Sequence, residues 1–316
     1  MVGSVVLAMA GLALLVVAGD QLVAGSARVA AGLRVPPVVI GVVLIGLGTS
    51  APELLVSGIA AGRGDYGIAA GNLVGSNVLN LTLVLGTAGL IAPVVIRSAV
   101  LRREAPLAVL AVVVFAGVLL FTPNRAGGAV LAALLVVTSV VLLRPDATAR
   151  TDELATEVTE YLGGTHRRST VLHTARAVLG LAGTLLGAAL VVDGAVDVAT
   201  RLQVPQVFIG FSVVAVGTSL PELVAAIQAQ RHGEVDLLVG NLFGSNMFNS
   251  LAGGAVIGLA GGAPAGEPGI HALAVLVMVA SSLLAWLLLL RGSRLIRAEA
   301  ALLLVGYALA IPLLLP

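Results

Sequence analysis

The chain has 316 residues, 59% of them hydrophobic and 10% charged, with a formal net charge of +1 and no cysteine. Soluble domains carry about 25% charged residues, so this chain lacks the polar surface to coat a water-soluble globule of its length. Its charge leaves no footprint for nucleic acid, and without cysteine neither disulfides nor thiolate metal sites are available.

The apolar runs are continuous and about 20 residues long, the length of a membrane-crossing helix. A transmembrane barrel would instead show short alternating segments. The first span, 3–30, begins without a basic n-region and runs from Ala18 straight into Gly19-Asp20, which reads as a retained helix and not a cleaved signal. Spans at 36–61, 67–91, 105–122 and 126–143 follow, then the polar segment 144–170, then spans at 173–199, 205–230, 235–262, 270–290 and 297–315. The expected fold class is therefore all-α integral membrane, with ten transmembrane helices. Residues 1–143 and 173–316 form five-helix units joined by a short linker, 144–172.

Five spans per unit make the second enter the membrane from the opposite side, giving two inverted-topology repeats. All 17 basic residues are arginines; fourteen fall at connections after odd-numbered spans, and only Arg63, Arg125 and Arg201 fall on the other face. By the positive-inside bias this predicts a multi-pass cell-membrane protein with both termini outside and the linker cytoplasmic. Within the linker, Asp152, Glu153, Glu157 and Glu160 alternate with Leu154, Val158, Tyr161 and Leu162 at helical spacing. That pattern reads as a short amphipathic surface helix, and it lacks the ligand spacing and glycine of a calcium-binding hand.

Two blocks occur twice. Gly-Thr-Ser-Ala-Pro-Glu-Leu at 48–54 returns as Gly-Thr-Ser-Leu-Pro-Glu-Leu at 217–223, and Gly-Asn-Leu-Val-Gly-Ser-Asn at 71–77 returns as Gly-Asn-Leu-Phe-Gly-Ser-Asn at 240–246. The offset is 169 residues for both, 48 to 217 and 71 to 240. Each copy puts a glutamate, Glu53 or Glu222, about midway along an apolar span with no Lys or Arg to pair with. A carboxylate there costs roughly 2.5–3.5 kcal/mol on the lenient insertion scale, so bound cations or protons are expected to neutralise it.

Thr49 and Glu53 share a helix face, as do Ser76 and Asn80, with Asn72 one turn earlier; Thr218, Glu222, Asn241, Ser245 and Asn249 repeat the arrangement. Carboxylate, hydroxyl and amide oxygens without His or Cys suit hard cations such as Na⁺ and Ca²⁺. Pro52 and Pro221 leave the carbonyls of Gly48 and Gly217 without their helical partner, which predicts bends at the site. The glycines of the second block read as close helix packing. Asp20, Asp193 and Asp197 read as helix-end or packing residues.

These blocks resemble the two α-repeats of the sodium/calcium exchangers, within the calcium/cation antiporter superfamily, and the likeness covers the whole chain in its compact prokaryotic form. The resemblance implies that Glu53 and Glu222 are central ligands shared by calcium and sodium. It implies that Thr49, Ser50, Thr218 and Ser219 bound flanking sodium sites, that Ser76 and Ser245 add hydroxyls, and that Asn80 supplies an amide. The carbonyl of Ala215, with Gly46 as its repeat mate, would add backbone oxygen. The mate of Asn80 is Asn249, where several of these exchangers carry Asp. Two central carboxylates are neutralised by one calcium or by two protons, so sodium and proton coupling both stay open.

The expectation is a secondary antiporter exchanging Ca²⁺ for Na⁺ by alternating access, with a proton/calcium antiporter and a passive cation channel as rivals. A channel needs a continuous polar path, whereas here polar residues cluster at midspan. Without a phosphate-loop motif an ATP-driven pump is not expected. The protein is expected to be no enzyme, to need no cofactor, and to have lipid and cations but no nucleic acid or obligate protein as partners.

Overall fold

Long apolar runs rich in Leu, Val and Ala bury their backbone polar groups most cheaply as helices, and helices dominate the computed structural model. It describes residues 2–33, 49–96, 101–121, 123–143, 170–233, 235–262 and 270–313. The helices of the first half are α1 (Val2–Gly32), α2 (Ala51–Arg63), α3 (Tyr66–Ile91), α4 (Glu104–Phe121) and α5 (Arg125–Leu143). Those of the second are α6 (Thr170–Leu202), α7 (Gln206–Thr218) and α8 (Leu220–His232), then α9, built from Val235–Phe248, a π-helical turn at Asn249–Gly253 and Gly254–Leu259. They end with α10 (Ala272–Leu290) and α11 (Arg297–Leu313). Two-residue strands, β1 (Val94–Val95) and β2 (Arg294–Leu295), pair antiparallel and tie the end of α3 to the α10–α11 connection.

Six of these helices are long and apolar enough to cross a membrane, and the bent pair α7–α8 makes a seventh. The chain is thus a multi-pass membrane protein. Burial ranks the helices: 78% of the most apolar window of α3 is inside the protein, against 17% for α5. So α3 is central and α5 peripheral. Residues 34–48 and 144–169 lie outside the described residues, and with them Gly46, the first half of span 36–61 and the acidic segment 152–160.

The 169-residue offset of the sequence blocks reappears in the helix bounds. Shifted by 169, α2 (51–63) falls on 220–232, the bounds of α8. The π-helical turn of α3 at Asn80–Val84 falls on that of α9 at Asn249–Gly253. Left-handed glycines close both short helices, Gly64 at φ 88° and Gly233 at φ 80°.

Contacts are reciprocal as well. A Cβ added at Gly11 would lie 2.8 Å from the Gly187 carbonyl oxygen, and one at Gly180 would lie 2.4 Å from the Leu22 nitrogen. Gly25 meets Ala177 and His173, while Gly194 meets Ala8 and Ser4. Low numbers on α1 therefore face high numbers on α6, so these two mates run antiparallel. Small residues let their backbones touch.

The bend predicted from Pro221 is present in span 205–230, as a break between two helices and not a kink within one. The span breaks at Ser219 (φ −87°, ψ 8°) and bends by 43°. The bend comes before the proline, because Pro221 sits in the first turn of α8, where a missing N–H costs nothing. Pro52 holds the same place in α2. Glu53 and Glu222 consequently lie in the first turns of new helices, where the unpaired N–H groups and the helix dipole favour negative charge.

Candidate cation site

The first turns of α2 and α8 bring their acids to the centre of the protein, against the polar faces of α3 and α9. Glu53 and Glu222 are both completely buried. Ser50, Ser76, Asn80, Thr218, Ser219, Ser245 and Asn249 are also buried, while Thr49 is half-buried. No arginine joins them: the two ion pairs among the described residues are Arg63–Asp193 and Arg201–Asp197. Those pairs account for two of the three aspartates set aside in the sequence, and Asp20 accepts from Gln21.

Hydrogen bonds divide the site into two linked groups. Ser219 Oγ donates at 2.9 Å to Glu53 Oε1 and lies 3.1 Å from Ser76 Oγ. Thr218 Oγ1 donates to Asn72 Oδ1 at 3.1 Å, with Ala215 O at 3.3 Å as a second acceptor. In the mirror group Thr49 Oγ1 donates to Asn241 Oδ1 at 3.2 Å and lies 3.4 Å from Ser245 Oγ. The Thr–Asn pair thus occurs twice, each time crossing between the sequence halves.

Around those pairs lie polar atoms without a partner. Ser50 Oγ, both oxygens of Glu222, Glu53 Oε2, Asn80 Oδ1 and both amide atoms of Asn249 have no hydrogen-bond partner among the described residues. A buried unpartnered polar atom costs about 1–3 kcal/mol, and a charged one more. This set contains acceptor oxygens in abundance, and its only donors are the Ser50 hydroxyl and the Asn249 amide. Such a set is fitted for one or more hard cations. No group of three or more His, Cys, Asp or Glu gathers among the described residues, so a cation here would rely on hydroxyl, amide and carbonyl oxygen beside two carboxyls.

Several polar residues at the centre were not assigned from the sequence. Asn246 accepts from Asn80 Nδ2 at 3.0 Å and donates to the Asn77 carbonyl at 2.8 Å; Asn77 Nδ2 donates to Ser250 Oγ at 2.9 Å. These amides join α3 to α9 where each enters its π-helical turn, a local widening frequent at functional sites. The signal was available, since Asn77 and Asn246 close the repeated second block. Ser57 is a further such residue, and it carried no signal from repetition because its mate is Ala226.

Comparison with known proteins places this arrangement. A family model described as "Sodium/calcium exchanger protein" matches residues 3–144 and 172–315. The chain belongs to the sodium/calcium exchanger family. It is 37% identical over 246 residues to inner membrane protein YrbG of Escherichia coli K12, covering 76% of this chain and 74% of that one. It is 28% identical over 295 residues to sodium/calcium exchanger MaX1 of Methanosarcina acetivorans, covering 79% and 80%. Among solved structures, the sodium-calcium exchanger NCX_Mj soaked with Na⁺ and Sr²⁺ superposes with a TM-score of 0.68 at 31% identity, over 98% of both chains. The family membership makes this chain a transporter of the exchanger type.

Proposed function

We propose that the protein is a secondary antiporter that exchanges Ca²⁺ for Na⁺ by alternating access. The observation that carries this reading is the pair of fully buried glutamates, with no basic partner among the described residues and with unpartnered oxygens around them. Glu53 and Glu222 are the central ligands; Thr49, Ser50, Ser76, Thr218, Ser219, Ser245, Asn80, Asn249 and the carbonyls of Ala215 and Gly46 complete the sites. Empty, the site holds uncompensated charge in a low dielectric, which opposes passage between inward- and outward-facing states. Loaded, it is neutralised and can switch. That difference couples the two fluxes and suppresses leak.

The scaffold for this is ten spans in two inverted units, 1–143 and 173–316, with a cytoplasmic linker at 144–172 and both termini outside. The shared 169-residue offset and the antiparallel α1–α6 pair support it. Proton/calcium exchange is the second reading, favoured by Asn249: two acids balance two protons as well as one calcium. Calcium uptake into proteoliposomes under an outward Na⁺ gradient, an outward H⁺ gradient or neither separates the readings. Uptake with the Na⁺ gradient alone is expected. Uptake driven by H⁺ alone would select the second reading, and saturation-free flux without either gradient would mean a channel.

A further inference from the structure

Ser57 lies in α2 one helical turn beyond Glu53 and is fully buried, yet it faces neither glutamate in any hydrogen bond of the described residues. Its hydroxyl donates to the Ala69 carbonyl of α3 at 3.1 Å. With that proton committed, the Ser57 oxygen can only accept, and it accepts from Asn72 Nδ2 at 3.0 Å. The same Nδ2 donates to the Glu53 carbonyl at 3.2 Å. Both partners of Nδ2 are acceptors, so the amide has a single allowed orientation, with Oδ1 turned towards Thr218. Thr218 Oγ1 then gives its proton to Asn72 Oδ1 at 3.1 Å, the shorter of its two acceptor contacts, the Ala215 carbonyl at 3.3 Å being the other. What remains on Thr218 for the site is oxygen lone pairs.

We infer that Ser57 is a positioning residue for cation binding: through Asn72 it holds the Thr218 hydroxyl as an acceptor towards the bound ion. A hydroxyl free to rotate would offer its proton to a cation in some orientations, and fixing it removes that cost before the ion arrives. The relay exists in one half only. The repeat mate of Ser57 is Ala226, so Asn241 has no corresponding serine, and the half-buried Thr49 lies near both Asn241 and Ser245. The two halves of the site, equal in their repeated blocks, therefore differ in whether a serine on the glutamate helix holds the asparagine that takes the threonine proton.

This inference rests on the reading of Glu53 and Glu222 as a cation site and is tested on the full-length protein. Calcium-dependent thermal stabilisation in detergent gives a half-saturating Ca²⁺ concentration that needs no counter-ion. Ser57→Ala should raise it about three- to tenfold, the worth of one ordered hydrogen bond, and Ser57→Thr, which keeps the hydroxyl, should stay within about twofold of wild type. In an Asn72→Ala background Ser57→Ala should have no further effect, because the two act in series. Ser57→Cys, close in volume but a weak acceptor, reads the same quantity if the alanine variant does not fold. Unchanged half-saturation in Ser57→Ala, equal shifts in the alanine and threonine variants, or effects that add in the Asn72→Ala background would each overturn the role. A wild-type protein without any calcium response would overturn the functional reading and this inference with it.

Discussion

At the scale of single residues, the site is set by what surrounds two carboxylates that no basic side chain among the described residues neutralises. Asn249 is the position where charge can be changed with least disturbance, since Asn and Asp have nearly equal size and both amide atoms of Asn249 are unpartnered among the described residues. With calcium bound, two ionised glutamates leave the site neutral, whereas a third ionised carboxylate leaves it at −1. Asn249→Asp is therefore expected to lower calcium flux several-fold at alkaline pH, where the added acid ionises, and to spare it at acidic pH. Asn80→Asp should act more weakly, because Asn80 is already held by Asn246 at 3.0 Å. Calcium flux measured against pH for both variants checks this, and profiles superimposable on wild type would mean that position 249 does not face the ions. The repeat showed where these acids and amides lie, because the same residue types recur at one offset. It could not show the difference between halves, because Ser50 and Ser219 sit in blocks that differ only at Ala51 and Leu220, yet among the described residues only Ser219 reaches a glutamate.

At the scale of helices, two devices carry the architecture. One is the restart of the chain at Ser219, which was legible only in part: Pro221 signalled a bend without saying that a new helix begins. The other is glycine at the α1–α6 crossing. A methyl at Gly180 would sit 2.4 Å from the Leu22 nitrogen and 2.9 Å from the Ala18 carbonyl, so backbone must move. Gly180→Ala is expected to destabilise the protein by about 1–3 kcal/mol. Gly306, with nothing within 4 Å of an added Cβ, is the control. There the same substitution should stabilise by up to about 1 kcal/mol through helix propensity. Thermal denaturation midpoints in detergent compare the two, and equal shifts would mean that the α1–α6 contact is looser than the structure has it.

At the scale of the whole molecule, span positions were readable to within a few residues: 67–91 against Tyr66–Ile91, and 270–290 against Ala272–Leu290. Apolar length and arginine punctuation carry that information directly. Orientation in the membrane rests on arginine placement, and a single cysteine tests it in a chain that has none. Ala155→Cys is expected to resist an impermeant thiol reagent added outside intact cells and to react once the membrane is opened. Labelling from outside would reverse the topology. The central claim is narrower still: Glu53 and Glu222 hold calcium and sodium at one shared site. Equilibrium binding of ⁴⁵Ca²⁺ to the purified protein, with rising Na⁺, tests it most directly. Wild type should bind calcium and release it competitively as Na⁺ increases, while Glu53→Gln and Glu222→Gln, folded and monodisperse, should lose calcium binding by tenfold or more. Retention of wild-type calcium affinity in either glutamine variant would contradict the account.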